Sequence, residues 1–197
     1  MKKIREPTYS FVILTLVLII IDTLLARLSV SIFPAGSFGV SIFYFAVAFM
    51  ILFTLWFGAY GAIAAYIGTL IGSGLLSSGA LQGHPLVAIG WSVAGLLQVL
   101  IPLVAFRVFE VNVGMESSRD FFHLILFGVI LNNVVGASWG AYVLAMGGII
   151  QFSDVTGVFA AWLIGNVVIT LLIVPLALLR LTPGVRKSKL FVRNYWD

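Results

Sequence analysis

The sequence predicts an all-α integral membrane protein of six transmembrane helices with both termini on the cytoplasmic side. Three observations carry that prediction. First, 61% of the 197 residues are hydrophobic and only 9% are charged, whereas an average soluble domain is about a quarter charged. Mean hydropathy is correspondingly high, at +1.16. Second, six separate segments have the length and apolarity of membrane spans. Third, the basic residues gather at alternate segment ends. A water-soluble globule of this size has no means of covering so much apolar surface. A soluble enzyme, a nucleic-acid-binding domain and a disordered linker are excluded, and no nucleic-acid partner is expected.

A helix needs about 20 mostly apolar residues to cross about 30 Å of hydrocarbon. Segments near 9–30, 39–57, 60–78, 86–106, 121–146 and 158–180 qualify and form a single transmembrane domain. The first follows MKKIREP, which has the charge of a signal-peptide n-region, but it is long enough to span and no A-x-A site follows it. It is therefore expected to stay in the mature protein. Phe33-Pro34-Ala35-Gly36-Ser37 separates spans one and two, and Ser77-Ser78-Gly79 through His84-Pro85 separates three and four. Glu110 to Asp120 holds most of the mid-chain charge, and Gly147-Gly148 through Gly157 precedes the last span. The weakest boundary is Phe57-Gly58-Ala59-Tyr60-Gly61. It is either a very tight turn or a break in one long helix.

Charge distribution decides between those two. Lys2, Lys3 and Arg5 precede span one, Arg107 and Arg119 flank the loop after span four, and Arg180, Arg186, Lys187, Lys189 and Arg193 follow span six. Six spans put all of these on one side and leave Arg27 near the other. Five would divide the terminal clusters between the two sides. By the positive-inside rule the basic side is cytoplasmic, so the protein is expected to be multi-pass in the cell (cytoplasmic) membrane. The tail from Lys187 to Trp196 mixes basic and aromatic residues, the composition of an interfacial anchor on anionic membrane lipid.

Enzymatic chemistry finds no support. The chain has no cysteine. His84 and His123 fall at opposite ends of spans, too far apart for a shared metal. No H-E-x-x-H, phosphate-binding loop or G-x-S-x-G is present. No catalytic residue, metal site or cofactor is predicted.

The informative residues are the polar ones inside the spans. Span four carries Trp91, Gly95, Gln98 and Pro102 on one helical face; span five carries Asn132, Gly136 and Trp139, with Asn133 adjacent; span six carries Trp162, Asn166 and Thr170. Spans four and six run inward and span five outward, so each Trp lies nearer the outer surface than its amide. At 1.5 Å per residue the tryptophans come out roughly 6–9 Å deep and the amides roughly 12–20 Å. Buried amides need hydrogen-bond partners. Helix-to-helix glue with tryptophans in the interfacial belt is one reading. The other is an outward-facing pocket with an aromatic upper wall and an amide floor, suited to a small, flat solute bearing donors and acceptors.

Asp22 is the one acid well inside a span, and it is expected to face the bundle and either pair across it or touch a ligand. Arg27, about 140° round the same helix, is expected to snorkel outward. Ala64, Gly68 and Gly72 form a small-residue ridge on span three, which serves either internal packing or a partner interface.

Size, six spans, internal termini and the Gly-rich third span together resemble the substrate-binding S-components of energy-coupling-factor vitamin transporters. The stretch Leu55-Trp56-Phe57-Gly58-Ala59-Tyr60-Gly61-Ala62, running on to Gly68 and Gly72, looks like that family's short inner turn. The resemblance implies capture of a vitamin-like solute in an outward-facing pocket built from spans four to six and the first outer loop. It also implies docking to a transmembrane coupling protein driven by paired ATPases. Many S-components carry A-x-x-x-A in span one, where this chain has only Ala26. A weaker likeness links Ala161-Trp162-Leu163-Ile164-Gly165-Asn166 and Val174-Pro175-Leu176 to MASE1-type membrane sensor domains, which implies ligand sensing without transport. Such domains usually have about eight spans.

Overall fold

A computed structural model describes residues 8–35, 40–72 and 81–192. The outermost residues expected for spans two and three (39 and 73–78), the N-terminal basic cluster and Arg193 lie outside them. The elements are α1 (Tyr9–Ile32), β1 (Pro34–Ala35) paired antiparallel with β2 (Val40–Ser41), α2 (Phe45–Phe57), α3 (Ala59–Gly72) and α4 (Pro85–Val108). Then follow α5 (Ser118–His123), a π-helical stretch (Leu124–Leu131), α6 (Asn132–Met146), a 3-10 turn (Phe152–Asp154) and α7 (Val155–Val185). From Ser118 to Met146 the helix continues without a break. The architecture is all-helical apart from the two-residue ladder.

Among the described residues, four helical rods are long and apolar enough to cross a membrane: Tyr9–Ile32, Pro85–Val108, Ser118–Met146 and Phe152–Val185. With 13 and 14 described residues, α2 and α3 rise only about 20 Å each. They form a hairpin. Gly58 at the turn has φ 63°, a left-handed geometry that favours glycine. A Cβ on Gly61 would run into the backbone of Phe53 and Thr54. The Phe57–Gly61 junction is thus a tight turn between two packed helices, and the broken-helix alternative is set aside.

Burial separates the helices by role. From Ala46 to Trp56 every residue of α2 except Phe49 is buried, as expected of a helix that is apolar all round. It forms the axis of the bundle. In contrast α1 lies at the periphery, with Ile13, Leu16, Ile20 and Leu24 exposed. Its buried stripe is Leu18, Asp22, Ala26 and Ser29, and this stripe lies on α3. A Cβ on Gly68 would collide with the Asp22 side chain, and one on Gly72 with Ala26. Gly68 and Gly72 are therefore covered by α1, and Ala64, one turn before Gly68, is buried. Of the two readings of the ridge, internal packing or a partner interface, these contacts with α1 support internal packing.

Contacts at the two ends order the rods. At one end Phe11 stacks on Tyr60 with ring centroids 4.4 Å apart. There Trp56 Nε1 donates to Thr182 Oγ1 at 3.1 Å, and the Val192 N–H donates to the Trp56 carbonyl at 3.0 Å. The loop between α4 and α5 belongs to this end too: Asp120 caps its own helix through Ser117 and accepts from the Asn112 N–H at 3.0 Å, while Arg186 bonds Asn112 and Glu116. Both ends of the described chain meet here, together with Arg107, Arg119, Arg180, Arg186, Lys187 and Lys189. At the opposite end the Phe45 N–H donates to Ser29 Oγ at 2.9 Å, and the Ser41 hydroxyl donates to the Ser29 carbonyl at 2.9 Å. These bonds stitch the first loop onto the end of α1.

Candidate functional site

The polar residues of α4, α6 and α7 converge on one seam, and glycines make the convergence possible. The α6 face Asn132, Gly136, Gly140 advances in steps of four and so forms one stripe. A Cβ on Gly136 would strike the Gln98 side chain of α4, and one on Gly140 the Trp162 ring of α7. At the top of the seam Trp91 and Trp162 meet with ring centroids 5.4 Å apart at 51°. At its floor Gln98 Nε2 donates to Asn133 Oδ1 at 2.7 Å. Asn133 Nδ2 in turn donates to the Val129 carbonyl at 2.9 Å and reaches Thr170 Oγ1 at 3.4 Å. Asn166 lies one turn from Trp162 and one from Thr170 on α7. The first loop packs on α7 at Gly165, the residue before Asn166, where a Cβ would overlap the Ile42 carbonyl.

Local sequence sets up this floor. Pro102 lies within α4 and has no N–H, so the Gln98 carbonyl lacks its usual helical donor. The π-helical stretch ends at Leu131, directly before the Asn pair, and π turns often occur at functional positions. Asn133 occupies one carbonyl of that stretch. It is fully engaged, whereas its neighbour is not.

Unanswered polar atoms mark the site. Asn132 and Asn166 are 0% and 1% exposed, and neither the oxygen nor the nitrogen of either amide has a hydrogen-bond partner among the described residues. The indole nitrogens of Trp91 and Trp162 are likewise buried and unpaired. An unpaired buried polar group costs about 1–3 kcal/mol. Four such residues around one seam are costly unless something else supplies the missing partners.

The predicted residues divide accordingly. Trp91, Gln98, Asn132, Asn133, Trp162 and Asn166 come together. Trp139 does not join them: it is 41% exposed, and its Nε1 donates across to the Gly90 carbonyl of α4 at 2.8 Å. Asp22 is fully buried on α1 with both carboxylate oxygens unpaired, behind α3 as seen from the seam. Gln151 and His84 are exposed at the loops of the tryptophan end. Tyr44, Thr69, Gly140 and Gly165 belong to the site without having been singled out. The glycines had a signal, since Gly136 and Gly140 continue the Asn132 stripe and Gly165 adjoins Asn166. Tyr44 and Thr69 had none, because only folding brings α2 and α3 beside α4.

No metal-binding group of three or more His, Asp or Glu occurs among the described residues. Comparison with known proteins returned nothing: no family model, no curated protein and no solved structure matches the chain. The functional reading therefore rests on the seam itself.

Proposed function

We propose that this protein is a membrane-embedded binding subunit for uptake of a small, flat, vitamin-like solute, captured from the outer side. The observation that carries the reading is the set of unpaired groups of Trp91, Trp162, Asn132 and Asn166 around one glycine-lined seam. Two indole N–H donors and two complete carboxamides would be answered by a heteroaromatic or amide-bearing molecule between them. Trp91 and Trp162 touch across the top, so their parting would admit the solute. The clustering of basic residues at the opposite end supports an outward placement of the tryptophans under the positive-inside rule. The resemblance to S-components adds the partners: a transmembrane coupling protein and its ATPases would supply the energy.

Native mass spectrometry of the protein released from lipid nanodiscs tests the reading. We expect a bound species of metabolite mass that is lost in Asn166→Ala and Asn132→Ala. Lipid adducts alone, unchanged by both substitutions, would reduce the amides to helix glue. Recovery with a signalling enzyme in place of a coupling protein would move the function to the MASE1-like sensor reading.

A further inference from the structure

Asp22 is the most anomalous group in the bundle. It lies within the peripheral apolar helix α1, is 0% exposed, and neither carboxylate oxygen has a donor among the described residues. Acids at such positions are costly and are ordinarily answered by a partner. The nearest cationic side chain along its own helix, Arg27, points about 140° away. The opposing position on α3 is Gly68, which offers no side chain at all. No cationic side chain among the described residues is paired with this acid.

Its position relative to the seam is defined by a chain of contacts. Asp22 lies against Gly68, and the next residue, Thr69, faces α4, where a Cβ on Gly95 would lie 2.8 Å from Thr69 Oγ1. Gly95 is itself on the α4 face between Trp91 and Gln98. Asp22 is therefore at the depth of the layer between the tryptophan lid and the amide floor. Tyr44 bridges the two regions: it lies within electrostatic reach of Asp22, and its hydroxyl pairs with Thr69. Asp22 itself fills the space at Gly68, and Thr69 Oγ1 and Met50 Cε fill the space at Gly95, so the way from Asp22 to the seam runs through the Thr69 hydroxyl.

We propose that Asp22 receives the positive charge of the solute, so that the solute is a planar organic cation, an amine or a quaternised ring. This deepens the seam reading and rests on it. The flat body lies under Trp91 and Trp162, whose ring faces themselves attract a cation. Its polar edge meets Asn132 and Asn166, and its charged group points past Thr69 toward Asp22. A neutral or anionic solute of the same shape would leave the carboxylate unpaired.

Three indole derivatives of one shape and three charges test this: tryptamine, indole-3-acetamide and indole-3-acetate, titrated calorimetrically into the full-length protein in nanodiscs at pH 7. Tryptamine is expected to bind at least tenfold more tightly than the amide, and the acetate more weakly than both. In Asp22→Asn, an isosteric change, the preference for tryptamine should vanish while indole-3-acetamide binds as before, which also reports that the variant is folded. Asp22→Ser should behave in the same way. Asn166→Ala should weaken tryptamine and the amide in equal proportion. Equal affinities for amine and amide in the wild type, or a preference that survives in Asp22→Asn, would overturn the cation assignment and leave the seam standing. Failure of all three to bind at millimolar concentration would overturn the seam and this inference together.

Discussion

Two pairs of carboxamides lie within about two helical turns of each other, and they are treated in opposite ways. Gln98 and Asn133 answer one another at 2.7 Å, and Asn133 spends its remaining hydrogens on Val129 and Thr170. Asn132 and Asn166 are as deeply buried and answer nothing. Both pairs bear the same desolvation cost, but only the first recovers it within the chain. Burial of a polar residue in an apolar bundle thus has two distinct meanings. The paired amides link α4, α6 and α7; the unpaired ones have no partner among the described residues.

The comparison breaks or sharpens under substitution. The largest effect is expected from Gly140→Leu, because the added side chain must occupy the space of the Trp162 ring. Solute binding should fall by more than a hundredfold in calorimetry, with a changed tryptophan emission. Next comes Asn166→Leu, which removes an unpaired group rather than a bond. It should cost at least tenfold in affinity while raising the melting temperature in nanodiscs by a few degrees, since about 1–3 kcal/mol of penalty is relieved. A fall in melting temperature as large as that of a paired amide would erase the distinction between the two pairs.

Gln98→Ala is the counterpart. It strands Asn133 Oδ1, so stability should drop by roughly 1–2 kcal/mol, seen as a lower melting temperature with a smaller loss of affinity than Asn166→Leu shows. The smallest effect is expected at Trp139→Phe. Loss of one exposed bond to the Gly90 carbonyl should cost about 1 kcal/mol or less and leave affinity within twofold. A large loss of binding there would place Trp139 in the site after all.

Much of the seam was legible before folding because helical periodicity is a local property. Trp91 with Gln98, and Trp162 with Asn166, share faces by spacing alone, and the structure keeps both pairs on one seam. Trp139 shows where spacing stops being sufficient. Asn132, Gly136 and Trp139 share a face within a generous arc, but Trp139 falls at its edge, half-exposed and bonded to the Gly90 carbonyl of α4. Asn132 and Asn133 show the same limit more sharply. Adjacent residues of one type differ by about 100° of helix rotation, and only the positions of α4 and α7 decide which of them is satisfied. The small-residue ridge of α3 announced a close approach. That α1 makes the approach is a fact of packing.

The sequence by itself determined the apolar class, the six helices, the tight turn at Gly58 and the sorting of basic residues to one end. Each of these follows from composition or from a period of a few residues, and so survives without knowledge of neighbours. Tertiary structure alone decided that the short α2 is the axis, that α1 covers Gly68 and Gly72, and that Tyr44 and Thr69 lie between Asp22 and the seam. It alone divided the amides into satisfied and unsatisfied. Hydrogen-bond satisfaction depends on atoms brought from distant parts of the chain to within about 3 Å, and no local pattern encodes that distance.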